Sequence, residues 1–287
     1  MAAAAAIDVM YFPPAREGMA EACSAEPRCY EPVERAAELL HRAGLDKAFV
    51  TQCKRWSCER RWMCEDTALD DVLRYTLPYP CLFVGIAGYN PLNISASLHE
   101  AEIGVQLQGF RGVYVHPGSF GLSINDRRMY PLYAKAVEWR VPVILDMRHL
   151  RDFSDGLTPA AMARVLWDFE EATFVIAQSG WSVSDMEHLA GRCENIGFAF
   201  DSRALGRADL REFVGLPVLR DRCLWGSNGQ PWDVCLPVVQ SMPFTPEVRD
   251  KLLHENADRI FRLQALDSVT PRKWQPTAGS AQIAAER

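Results

Sequence analysis

The residues able to do chemistry stand at the ends of short apolar runs. Gly112-Val113-Tyr114-Val115 runs into His116, and Pro142-Val143-Ile144-Leu145 runs into Asp146 with Arg148 two positions on. Thr173–Ala177 is followed by Gln178, Ile196–Phe200 by Asp201, and Cys223-Leu224-Trp225 by Asn228. A histidine and a carboxylate held by separate strands suit proton transfer, so His116 and Asp201 are a candidate acid–base pair, with Asp146 a third catalytic candidate. The alternative is a histidine bonded to a loop carbonyl and a carboxylate that caps the next helix. Asp146, Gln178 and Asn228 form a polar trio that binds a ligand or satisfies itself, since buried polar groups need partners either way. Lys54, Arg55, Arg60 and Arg61 interleave with Trp56 and Trp62, and Arg148, Arg151 and Trp181 follow later runs. Cations beside indoles suit a small anionic or aromatic ligand, or a protein-binding surface. In the ligand reading Gln178, Asn228, Arg148, Tyr114 and Trp181 are the binding residues.

These residues need a scaffold that gathers strand ends. From Phe110 to Met147 the sequence spells strand, helix, strand, with Met129, Leu132, Tyr133, Ala136 and Val137 on one helical face. Continuous apolar strands suit a parallel sheet covered by helices. The same unit recurs: strands at Ile7–Met10, Ala48–Thr51, Cys81–Ala87, Gly112–Val115, Pro142–Asp146, Thr173–Ala177, Ile196–Phe200 and Cys223–Trp225 alternate with helices. Helix starts fall at Thr158, at Ser182 or Ser184, and at Thr245. Eight such units predict a (β/α)8 TIM-type barrel. Residues 1–263 then form a single barrel, and 264–287, which lose periodicity, a flexible C-terminal tail. The long stretch Gln52–Glu65 is expected as a loop over the mouth. In a barrel of this kind the site lies at the C-terminal strand ends.

Composition narrows the classes. The 287 residues are 48% hydrophobic and 24% charged, ordinary for a globular chain, and the net charge of -6 disfavours nucleic acid as a partner. No apolar run approaches the ~20 residues of a membrane span. The start, Met1 to Ala6, lacks a basic segment and does not look like a signal peptide. With no GxGxxG loop, no nucleotide cofactor is implied, and no other cofactor either. There are nine cysteines. A chain with a full core does not need disulfides, so a reducing, cytoplasmic setting is expected, with Cys81, Cys193, Cys223 and Cys235 as buried thiols. Cys53, Cys58 and Cys64 face the mouth and could hold a metal, although their spacing matches no common zinc knuckle.

Several segments resemble the amidohydrolase superfamily, in its "amidohydrolase 2" branch of small-molecule hydrolases and decarboxylases. They are Ile7-Asp8-Val9 with Pro13-Pro14, Gly109-Phe110-Arg111-Gly112-Val113 with His116-Pro117, Pro131-Leu132-Tyr133, Val141-Pro142-Val143-Ile144, Leu224-Trp225-Gly226-Ser227 and Glu255–Phe261. The resemblance spans roughly Ile7 to Leu263 and implies the barrel. It also implies a His-x-His pair after the first strand, histidines on the fifth and sixth strands, an aspartate on the eighth and often a lysine on the fourth. Here those places hold Met10 and Phe12, Asp146, Gln178, Asn228 and Tyr114. Met and Phe cannot replace imidazole at a divalent ion, and an Asn amide is no useful base. The expectation is therefore a barrel without the metal centre, working as a ligand-binding or partner subunit of an active paralogue in a homo- or hetero-oligomer. The alternatives are a metal-independent hydrolase or decarboxylase with Asp146 or His116 as base and Arg148 as carboxylate anchor, and a new metal site on Cys53, Cys58 and Cys64. The resemblance also makes His254-Glu255-Asn256 structural.

Overall fold

A computed structural model describes residues 6–12, 32–57, 61–148 and 156–265. Within them eight parallel strands are hydrogen-bonded in the order β1 (Ala6–Tyr11), β2 (Leu45–Thr51), β5 (Phe83–Gly88), β6 (Val113–Val115), β7 (Val143–Asp146), β8 (Phe174–Ala177), β9 (Ile196–Phe200) and β10 (Cys223–Trp225). The eight runs expected from the sequence are these eight strands, and with their flanking helices they make a (β/α)8 barrel that is nearly closed. The seam lies between β1 and β10, where Asp8 does the joining. Its Oδ1 accepts from the Met10 N–H (2.9 Å) and the Ser227 N–H (2.7 Å), and its Oδ2 accepts from Trp232 Nε1 (2.7 Å). Gly226 is required at this seam, because a Cβ there would lie 2.7 Å from Met10.

Strand alternation sorts the side chains into two cores. Val113, Val115, Val143, Leu145, Phe174 and Ile176 pack outward under the helices. Tyr114, Ile144, Val175, Ala177, Ala199 and Leu224 fill the barrel interior, with Phe49 and Phe261 edge-to-face at 4.6 Å among them. By the same alternation Asp146, two residues past Ile144, and Asp201, two past Ala199, belong to the interior face at the C-terminal ends. Met10 and Phe12 are buried in that inner core too.

The helices start where side chains can take the first free N–H groups. Thr158 accepts from Ala161, Ser182 from Asp185 and Thr245 from Val248, opening α5 (Pro159–Asp168), α6 (Val183–Arg192) and α10 (Pro246–Asp250). The other principal helices are α1 (Val33–Ala43), α2 (Leu69–Thr76), α3 (Ile94–Glu102), α4 (Tyr130–Trp139), α7 (Ser202–Leu205), α8 (Ala208–Gly215), α9 (Trp232–Gln240) and α11 (Asn256–Phe261).

Two elements depart from the sequence expectation. The stretch after β2 is a two-stranded antiparallel hairpin rather than a loop, with β3 (Lys54–Ser57) paired to β4 (Trp62–Asp66); its charged residues face partners instead of alternating with apolar ones. Helix α9, which carries the internal Pro237, is the other, absent from the sequence expectation; Pro231 stands at its N-cap, where a missing N–H is harmless. In the last helical stretch Asn256 Nδ2 donates to the carbonyls of Arg220 (2.7 Å) and Cys223 (2.8 Å), tying it to β10. The supposed tail lies outside the described residues from 266 onward. Among the described residues no helix is long and apolar enough to cross a membrane.

Candidate functional site

The centre of the barrel mouth is a closed polar cluster on β6 and β7. Asp146 side-chain exposure is 2%, and both carboxylate oxygens are engaged. Oδ2 accepts from the Tyr114 hydroxyl at 2.6 Å, and Arg148 Nε donates at 3.0 Å to Oδ1 and 2.9 Å to Oδ2. The Arg148 backbone N–H adds a bond to Oδ1 at 3.1 Å, and Arg148 Nη2 closes an ion pair with Oδ2. Burial works against the Asp146 carboxylate, but Arg148 and His116 outweigh it and hold the group below the usual carboxylate range. Tyr114 is pushed up, first by burial and then by the charge of Asp146, so it stays a neutral donor.

His116 sits beside this pair rather than across the mouth from Asp201. The Ser119 N–H donates to Nδ1 at 3.0 Å, which leaves the ring proton on Nε2, 4.0 Å from Asp146 Oδ1. Burial lowers the His116 pKa to about 4, only partly countered by Asp146. The ring is thus neutral near pH 7, beside Asp146 but beyond hydrogen-bond reach of it, and no hydrogen bond or ion pair links it to Asp201 among the described residues.

Arg148 is the one member that reaches out. Its side chain is 27% exposed and lies over the Phe12 ring at 5.6 Å, while Phe12 meets Tyr114 edge-on, also at 5.6 Å. Among the described residues no acceptor takes Nη1 of Arg148. Arg55, on β3, is paired with Glu65 on β4. Burial opposes its charge, but Cys53, Glu65 and Tyr114 raise its pKa above the ordinary value. Lys54 pairs with Asp66 (2.8 Å) and Glu100 (3.1 Å), and Gln52 bridges Glu100 (2.8 Å) and the Gly88 N–H (2.9 Å). The hairpin's cations therefore serve mainly to fix it over the mouth. Sequence reasoning overlooked this role of Arg55 and Glu65, although their places on facing strands would have been legible had the hairpin been anticipated.

A second polar group occupies the ends of β8, β9 and β10. Asp201 Oδ1 caps α7 by accepting from the Ala204 N–H at 2.8 Å, and Oδ2 accepts from Gln178 Nε2 (3.4 Å) and Asn228 Nδ2 (3.3 Å). Gln178 and Asn228 both take left-handed backbone conformations, with φ of 56° and 52°. The expected trio of Asp146, Gln178 and Asn228 is therefore split, since Asp146 bonds within the β6–β7 group and the two amides turn to Asp201. Trp181 is buried in the outer core, its indole N–H bonded to the Leu157 carbonyl at 2.7 Å.

Cys53 is a buried thiol, whereas Cys64 is disulfide-bonded, and Cys58, Arg60 and Arg151 lie outside the described residues. Cys81 is exposed and Cys193 partly so, while Cys223 and Cys235 are buried thiols. Among the described residues no group of three or more His, Cys, Asp or Glu is placed to hold a metal ion.

The amidohydrolase family model matches residues 30–263. The chain belongs to the amidohydrolase family. Solved structures agree on the fold. An uncharacterised TIM-barrel protein from Bordetella bronchiseptica is 22% identical, with a TM-score of 0.72 over 91% of this chain and 99% of that one. The 5-carboxyvanillate decarboxylase of Novosphingobium aromaticivorans, solved with manganese and 3-methoxy-4-hydroxy-5-nitrobenzoic acid, is 14% identical, with a TM-score of 0.67 over 90% and 97% of the two chains. The 2,6-dihydroxybenzoate decarboxylase from Rhizobium is 13% identical, with a TM-score of 0.69 over 91% and 99%. No curated protein matches the sequence.

Proposed function

We propose that this family member binds a small anionic or aromatic acid at the barrel mouth without the family's metal centre, as a non-hydrolytic subunit that works beside an active relative. One observation carries the reading: Asp146, at the family's ligand position on β7, is locked by Arg148 and Tyr114 with both oxygens occupied. A divalent ion would have to displace a guanidinium to reach it. Met10 and Phe12 offer no suitable donor, and the Gln178 and Asn228 amides are turned to Asp201. The donor set does not fit a hydrolytic metal, so no step is routed through one. The Nη1 edge of Arg148 above Phe12 suits a carboxylate on a flat ring. Two decarboxylase neighbours act on aromatic acids, which makes aromatic carboxylates the first ligands to try.

A second reading is favoured by the adjacency of His116 and Asp146 at 4.0 Å, namely a metal-independent decarboxylase or hydrolase with Arg148 as anchor. One experiment separates the two. Protein purified without added metal is analysed for metal, titrated with benzoate and 2,6-dihydroxybenzoate by calorimetry, and assayed for carbon dioxide release. The proposal expects no stoichiometric metal, binding that is lost in Arg148→Met, and no release. Release by metal-free protein establishes the second reading, and a full equivalent of metal with turnover overturns both.

A further inference from the structure

The two polar groups at the mouth differ in electrostatic balance. The charge of Asp146 is matched by Arg148, and that of Arg55 by Glu65. Asp201 is only 4% exposed, yet among the described residues no cation pairs with it. Its partners are one backbone N–H and two long amide bonds of 3.3 and 3.4 Å. A carboxylate only accepts, so both amides must point their NH2 groups at it. The Asn228 carbonyl oxygen is thereby turned away, and it is buried with no hydrogen-bond partner among the described residues. A buried polar atom in this state calls for an explanation. Gln178 also holds a left-handed conformation that side chains other than glycine rarely adopt, one that asparagine, as at Asn228, enters more readily. Strain of this kind collects where a ligand is clamped.

We propose that the β8–β10 side of the mouth receives a hydrogen-bond donor at Asn228 Oδ1 beside the Asp201 carboxylate, and that the bound acid carries an amine. The inference rests on the ligand-binding reading above and names the ligand class. Carboxylate and amine would be held by Arg148 on the β7 side and Asn228 with Asp201 on the β9–β10 side. Strands β7 and β9 are two ladder spacings apart, roughly 10 Å. An α-amino acid is too short for that gap, and an amino acid with a ring or a several-carbon spacer spans it. The unmatched charge of Asp201 favours an amine over a neutral hydroxyl. An ionised phenol would be repelled by the Asp201 carboxylate there.

Calorimetric titration of the full chain with matched pairs tests this. The pairs are benzoate with 3-(aminomethyl)benzoate, and pentanoate with 5-aminopentanoate. The amine of at least one pair should bind about tenfold more tightly or better, the effect of satisfying a buried acceptor. In Asn228→Gly, whose backbone tolerates the positive φ and whose folding is checked by thermal melting, that ratio should fall toward one. Equal affinities within both pairs, with benzoate still bound, overturn the amine assignment and leave the ligand-binding reading standing. A ratio that persists in Asn228→Gly overturns the assignment of the donor to Asn228. Failure of all four probes to bind overturns both this inference and the reading beneath it.

Discussion

Replacing Arg148 by Met leaves the side chain's bulk but removes every charge-assisted bond it gives Asp146. The native carboxylate is 2% exposed and is held ionised by the guanidinium against its burial. Without the guanidinium it keeps, among the described residues, only the Tyr114 hydroxyl as a close side-chain donor. Breaking a buried pair in this way costs roughly 3–5 kcal/mol. Arg148 is 27% exposed, so the lower half of that range is expected. At 2–4 °C per kcal/mol, the midpoint should fall by about 6–16 °C. The pH dependence should change sign as well. In the native chain a carboxylate with a lowered pKa contributes stability that is present above its unfolded value near ~3.9 and lost as pH falls through the folded value. In the variant, burial dominates and lifts the Asp146 pKa above its unfolded value. Its contribution is then full below ~3.9 and lost as pH rises through the folded value. Urea unfolding of the native chain, Arg148→Met, Asp146→Asn and the double variant at pH 7 and pH 5 completes a double-mutant cycle. Arg148→Met should recover toward native stability on acidification, and Asp146→Asn should rescue it at pH 7. A cost below ~1 kcal/mol at pH 7, or no coupling in the cycle, would refute the buried pair as the centre of the site.

His116 titrates near 4 when folded because burial disfavours its charge, so it contributes stability above its unfolded value of ~6.5 that is lost as pH falls toward 4; His116→Gln should flatten that decline in urea midpoints, and an unchanged slope would assign it to other groups. Asp8→Ala strands the N–H groups of Met10, Ser227 and Trp232 at the seam. It should cost about 3 kcal/mol or more, with amide exchange in β1 and β10 accelerating before that in β7, and uniform acceleration would deny Asp8 its local role. Gly85→Ala places a Cβ 2.2 Å from the buried Phe110 ring and should destabilise by about 1–3 kcal/mol, and a Phe110→Leu partner change should recover part of it. If Gly85→Ala melts like the native chain, Phe110 is not seated there.

Legibility in the sequence follows the range of the interactions involved. The strand starting at Pro142 was readable because a run of apolar residues reports burial on both faces, a property of the segment alone. Thr158, Ser182 and Thr245 were readable as helix starts because a cap bonds three residues along its own chain. The hairpin Lys54–Asp66 was not, because its pairing is set by Arg55 meeting Glu65 and Lys54 meeting Asp66, and charges spaced along the chain carry no sign of which will face which. At the mouth, sequence reasoning named Asp146, Arg148, Tyr114, Gln178, Asn228 and Asp201 as strand-end residues, and all six stand there. Of the alternatives it left open, the contacts follow the helix-capping one for Asp201, which also faces the two amides, while His116 faces Asp146.

By itself, then, the sequence determined the barrel, the order of its strands and the list of side chains delivered to its rim, because hydrophobic periodicity, caps and strand alternation are local and repeat along the chain. Tertiary structure decided who meets whom: that Arg148 closes on Asp146, that Asp8 fastens β1 to a loop 219 residues away, and that Asn228 is left with a buried oxygen and no donor among the described residues. Those choices turn on rotamers, on left-handed turns after β8 and β10 and on burial from several elements at once. Such quantities exist only when distant segments share one volume.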